Sequence, residues 1–209
     1  ARNDTVNVSG VIDGAVNFSG VAYVNLSPLT LNSFTVEAWV NQNVSGGIVS
    51  NEQCSVIDDW ALVSAAGLGG TLRFQFGDDT GNRDVLLNST TAIRNNTWTH
   101  VAVTREGTTV RFYIDGALDN TATGPHTRSL GGQAPECDIY GNSLGIGNTE
   151  RGAKLAENSF KGQIDEVAIY SYAKSAAEIK ADYDNSPYTA IIYKGAVGYW
   201  HMDDDVVDS

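Results

Sequence analysis

Three histidines, two cysteines, four prolines and one methionine are all that 209 residues contain of these types, and the scarcities remove whole classes of chemistry. Neither Cys54 nor Cys137 has a CxxC partner, and no histidine stands at zinc-ligand spacing from them, so a metal site built on cysteine is not expected. His100 lies inside an apolar run, TWTHVAV, His126 in a TGPHT turn and His201 close to the C-terminus. They offer no triad, and His100 reads as a packed sheet residue rather than a base. Basic residues are also few: 13 Lys and Arg stand against 25 Asp and Glu, a net charge of −12. Such a chain is poorly equipped to neutralise phosphates, so no nucleic-acid partner is expected. No apolar run approaches the ~18 residues of a membrane span, which argues against membrane insertion, and no signal peptide stands at the start. The expectation is a soluble chain, either processed or cut from something longer.

What the chain does hold is strand. Trp98–Thr104 and Thr109–Ile114 are dense in Val, Thr and aromatic residues, with Arg105-Glu106-Gly107 at the first join. Asp115-Gly116 is a two-residue turn that favours φ > 0 at both positions, so the segment reads as a three-stranded meander running on into Ala117–Thr121. Glycine is abundant at 22 residues, and short β-rich runs recur between Gly, Asn, Asp and Ser clusters, as a sandwich requires. The length suits one all-β domain with a real core. One helix is expected: Ser175-Ala176-Ala177-Glu178 is a capping box that opens a short helix to about Tyr183, stopped before Ser186-Pro187.

Four blocks carry a family resemblance. SFTVEAWV (Ser33–Val40), TWTHVAVT (Thr97–Thr104), VRFYIDGAL (Val110–Leu118) and FKGQIDEVAIYSYAKSAAEI (Phe160–Ile179) occur in that order. Together they resemble the laminin-G-like, concanavalin-A-like lectin/glucanase jelly roll, from about Val11 to Tyr183. The resemblance implies an antiparallel β-sandwich with one short helix packed against an end of it. It implies little about function, because this fold hosts lectins, adhesion modules, glycanases and spacers.

The termini depart from the family pattern. Its usual first strand, here VGYWHMDDDVVDS (Val197–Ser209), stands at the C-terminus, after a linker at 186–196 and a main domain at 1–185. Three arrangements fit: one period of a tandem array, a circular permutant whose last strand folds back, or a strand given to the next subunit. The linker's reach, up to ~3.3–3.6 Å per residue, allows the last two. The reading favoured here is the intersubunit strand, carried by Val197, Tyr199, Trp200, His201 and Met202, with copies of the same chain as partners.

Glycanases of the superfamily carry an array of carboxylates on one strand face. Here Asp165 and Glu166 are adjacent, so on a regular strand they face opposite ways, and the upstream carboxylate is missing. An enzyme is not expected. The resemblance does imply a structural Ca²⁺, with Asp165, Asp203 and Asp208 as ligands, since calcium takes hard oxygens. A second acidic stretch, Gly77–Asp84, lacks the EF-hand period and reads as a surface loop. Trp60, beside Asp58-Asp59, is a candidate to stack on a sugar face, whereas Trp39, Trp98 and Trp200 read as core. Cys54 and Cys137 read as a disulfide, worth roughly 4–5 kcal/mol on the chain-entropy model. Sequons begin at Asn3, Asn7, Asn17, Asn25, Asn43, Asn88 and Asn95, where chance predicts roughly three, so several are expected to carry glycan.

The sequence therefore predicts a secreted or cell-surface glycoprotein module, structural or adhesive, joined into a filament or array by its last strand. The alternative is a calcium-dependent, lectin-like module with glycan partners.

Overall fold

Lys161–Tyr170 (β14) organises one of two antiparallel sheets by pairing on both of its edges. In the structure, a computed structural model, the described residues are 2–3, 6–12, 14–19, 23–26, 29–52, 60–65, 69–77, 85–125, 127, 129–130, 143–147, 159–185, 195–200 and 202. Strands are numbered in chain order. The eight-stranded sheet runs β12 (Ala117–Thr123), β11 (Thr109–Ile114), β10 (Thr99–Glu106), β5 (Phe34–Val44), β14, β3 (Gly14–Ser19) and β2 (Val6–Ile12), with β15 (Ala196–Trp200) also on β14. The seven-stranded sheet runs β1 (Arg2–Asn3), β4 (Tyr23–Leu26), β13 (Ser143–Ile146), β6 (Gly47–Glu52), β7 (Trp60–Ala65), β8 (Thr71–Phe76) and β9 (Val85–Ala92). The expected sandwich and its meander are both present. At the β11–β12 join Asp115 has φ 48° and Gly116 φ 74°, the left-handed pair that a tight hairpin needs.

Alternation puts the core between the sheets. Along β5, Phe34, Val36, Ala38 and Val40 point inward and Thr35, Glu37, Trp39 and Asn41 outward. Inward residues of the facing sheet meet them: Phe34 stacks on Trp60 at 5.8 Å and lies 5.6 Å from Phe74. Along one flank the sheets are tied by side chains. Asp119 of β12 accepts the Thr90 and Thr91 amides of β9, and Asn120 Nδ2 donates to the Asn88 carbonyl at 2.7 Å.

Two expectations are corrected here. The helix α1 (Ala176–Asn185) is capped as predicted, with Glu178 N donating to Ser175 Oγ and Ser175 N donating to Glu178 Oε2. It lies over the outer face of the eight-stranded sheet, however, not against an end. Ile179 packs on Ala102 and Tyr113, and Tyr183 stacks on Trp39 at 5.6 Å. Trp39 is thus buried under the helix, outside the inter-sheet core.

The second correction concerns the last strand. β15 pairs within its own chain, Val167 opposite Trp200 and Ala168 opposite Tyr199. β3 takes the other half of the same edge, Lys161–Ile164. Trp200 is 5% exposed and Met202 is fully buried in the core. The strand read as a gift to a neighbour therefore completes its own sheet, because its aromatic and thioether side chains fill the core that β14 leaves open.

Candidate functional site

β8 alternates Leu72, Phe74 and Phe76 into the core with Thr71, Arg73 and Gln75 outward. Register extends the outward set across the seven-stranded sheet. Gln75 lies between Ala61 and Leu86, Ala61 opposes Ser50, and Ser50 opposes Gly145. In the next row Arg73 lies between Val63 and Asn88. The middle of this face is built from small residues, with Ala61 and Ser50 buried. Its flank on β8 and β9 is half-buried Arg73, Gln75 and Asn88 beside Leu86, which is 45% exposed.

Arg73 Nε donates to Asn88 Oδ1 at 2.9 Å, which fixes the guanidinium. No described residue accepts from its terminal nitrogens, or bonds the Gln75 amide or Asn88 Nδ2. Neighbouring same-face positions on a strand lie about 7 Å apart. The result is a surface of unspent, planar hydrogen-bonding groups next to one apolar side chain, the composition that grips a hydroxyl-rich ligand. The alternating Leu-Arg-Phe-Gln-Phe run announces the outward pair in sequence. Only the β8–β9 register brings Asn88 to Arg73.

The residues singled out from sequence disperse over the molecule. Trp60 opens β7 at 1% exposure, packed on Phe34 and Phe74. It offers no face to a sugar and is corrected to a core residue, since β7 starts at the indole instead of after it. Asn43 and Asn95 are exposed, Asn17 is half-buried and Asn88 is held by Arg73, while Asn3, Asn7 and Asn25 fall in β1, β2 and β4. Cys54, Cys137, His201, Asp203 and Asp208 lie outside the described residues.

Asp165 is fully buried, with Oδ2 accepting the Val11 amide at 2.8 Å and Oδ1 accepting the Glu166 amide at 2.9 Å. It fastens β2 to β14 and is one hard-oxygen donor, and the described residues contain no group of three metal-ligating side chains. Glu166 sits in a β-bulge with φ 50°, so regular alternation stops there. Its Oε2 accepts the Tyr199 hydroxyl at 2.6 Å, tying the bulge to β15. Gly141-Asn-Ser143-Leu-Gly145 matches GxSxG spacing, but Ser143 opens strand β13 and continues as strand. A nucleophile elbow needs a strand-to-helix turn.

A separate polar cluster lies under α1. Lys174 Nζ donates to Glu37 Oε1 at 2.8 Å and to Asp182 Oδ2 at 2.5 Å, and sits 3.5 Å above the Tyr170 ring. Burial pushes Glu37 up to about 7, against the pull of Lys174. Burial, aided by the Lys174 charge, lowers His100 to about 3. Its ring packs between Trp39 and Tyr183, so His100 is a neutral, packed residue. This cluster anchors the helix.

Among the described residues no helix is long and apolar enough to cross a membrane. None of the curated protein sequences matches the chain. Solved structures do. Domain 4 of AbnA, an extracellular GH43 arabinanase from Geobacillus stearothermophilus, solved with arabinotriose, aligns at TM-score 0.65 and 20% identity, covering 86% of this chain and 81% of that one. A carbohydrate-binding protein of Bacteroides ovatus, itself assigned only provisionally, aligns at 0.65 and 22%, covering 91% of this chain and 52% of that one. The CBM40 of a Ruminococcus gnavus IT-sialidase, bound to α2,3-sialyllactose, aligns at 0.58 and 11%, covering 87% and 96%. At these identities the likeness carries the fold alone. The family model for the concanavalin A-like lectin/glucanases superfamily matches residues 16–180, and with both sheets in place this chain belongs to that superfamily.

Proposed function

We propose that this protein is an extracellular, non-catalytic carbohydrate-binding module whose ligand lies across β8 and β9. The observation that carries the reading is the row of unspent polar groups on Arg73, Gln75 and Asn88 beside exposed Leu86. The superfamily, and neighbours solved with arabinotriose and sialyllactose, support the ligand class. The Asp165–Glu166 pair supports no hydrolytic role: it lies on the other sheet, with its Asp oxygens bound to backbone amides. Exposed Asn43 and Asn95 are the sequons we assign to glycosylation.

The test is a glycan screen followed by calorimetry on the wild type and Gln75→Ala. Losing one hydrogen-bonding amide should weaken the best ligand roughly three- to tenfold with an unchanged melting midpoint. A screen without any bound glycan at millimolar concentration would overturn the reading.

We also assign a structural Ca²⁺ to Asp165 with Asp203 and Asp208, on the acidity of the C-terminal run and the hard-oxygen preference of the ion. Excess EGTA should then lower the melting midpoint, and calcium should restore it. A midpoint indifferent to both removes the ion from the account.

A further inference from the structure

We infer that the β8–β9 face selects carboxylate-bearing sugars, with Arg73 reading the carboxylate; this rests on the carbohydrate-binding reading and specifies its ligand. A guanidinium offers forked donor edges that match a carboxylate with two parallel bonds. Asn88 Oδ1 occupies Nε at 2.9 Å, which uses up the forks that include Nε. The fork made by the two terminal nitrogens is left, pre-oriented, and no described residue accepts from it. Arg94, Arg105 and Arg111 differ. Arg94 pairs with Asp115 at 3.1 Å, Arg105 is buried and donates to the Asn32 carbonyl at 3.0 Å, and no described side chain steers Arg111.

An arginine held by a neutral amide and left without a carboxylate stands out in a chain with 25 acidic residues and 13 basic ones. Had the side chain served only the fold, an acidic neighbour would be the ordinary partner. The flanking groups suit the rest of a sugar acid. Gln75 and Asn88 Nδ2 are placed for ring hydroxyls, and Leu86, directly opposite Gln75, for a C–H face. The net charge of −12 opposes an anionic ligand at long range. That repulsion is screened within about 8 Å at physiological salt, whereas the forked contact acts at hydrogen-bond distance.

The experiment is calorimetry with two matched pairs: trigalacturonic acid against its methyl ester, and sialyllactose against its methyl ester. The wild type should bind at least one acid about tenfold or more tighter than its neutral partner. Arg73→Lys keeps the charge but loses the fork, and should abolish most of that preference with an unchanged melting midpoint. Gln75→Ala should weaken acid and neutral ligands by the same factor. Equal binding of acid and neutral partner, or a preference that survives Arg73→Lys, overturns this inference and leaves the carbohydrate-binding reading standing. Absence of binding to all four sugars and to arabinotriose overturns both.

Discussion

Lys174→Met is expected to destabilise the protein by about 3–5 kcal/mol at pH 8, the cost of stranding a buried carboxylate without its cation. Lys174 Nζ joins Glu37 of the sheet to Asp182 of the helix. Its amide also donates to Thr35 Oγ1, which in turn donates to the Tyr172 carbonyl, so the turn into α1 is already clamped by uncharged bonds. The loss should therefore be electrostatic, and pH should show it. Without Lys174 the Glu37 carboxyl rises further above 7, so in acid it is protonated in variant and wild type alike. The deficit should shrink as pH falls below about 7. Glu37→Gln combined with Lys174→Met should recover much of the loss, since the deeply buried carboxylate is then gone and the one left without the ammonium, Asp182, lies nearer the surface. Urea denaturation at pH 5.5 and pH 8 measures all of this. A deficit independent of pH, or a double variant no better than the single one, would sink the assignment.

In the wild type the same cluster sets opposing slopes. Glu37 rises from 4.5 to about 7 on folding, so its contribution is greatest below 4.5 and is lost as pH climbs through 7. His100 falls from 6.5 to about 3, so its contribution is full above 6.5 and is lost as pH drops toward 3. Between 4.5 and 6.5 the two offset each other. These two groups together therefore produce a plateau there, with losses on both sides.

Local chemistry was legible in the sequence wherever one residue dictates one conformation. Asp115-Gly116 specified its turn, and Ser175 with Glu178 specified the helix start, because each acts through bonds a few residues away. Sidedness was legible too, even for Trp39. Its parity with Thr35 and Glu37, against Phe34, Val36 and Ala38, already puts it on the outer face. A helix with Tyr183 was then needed to cover it. The bulge at Glu166 left no local mark, since an extra residue in a strand is defined by what its partner strand does. For the same reason the Arg73–Asn88 contact was hidden: it depends on the pairing register of β8 with β9, which composition does not record. Trp60 was misplaced because Asp58-Asp59 suggested a loop, while burial against Phe34 outweighs that suggestion by the few kcal/mol a buried aromatic contributes.

Deleting residues 196–209 is expected to unfold the domain, not to leave a soluble subunit that merely fails to assemble. Trp200 and Met202 are both in the core between the sheets. Losses of about 3–5 kcal/mol for a buried tryptophan and about 2–5 for a methionine already rival the whole stability of a typical domain. The Val167–Tyr170 stretch of β14 would also lose its partner on that edge. Trp200→Ala is the gentler test, with an expected cost of about 3–5 kcal/mol in urea. Amides of β15 should exchange with the same protection as the rest of β14's sheet, since the strand unfolds with its core. Concentration separates this arrangement from strand exchange. A strand paired in its own chain gives a melting midpoint independent of protein concentration, whereas one donated between chains gives a midpoint that climbs with it. A truncated protein that stays folded, together with a concentration-dependent midpoint for the full chain, would return Val197–Ser209 to the role of a coupling device. The burial of Trp200 and Met202 argues for the first result, because a strand that fills its own core is not available to a neighbour without opening the sandwich.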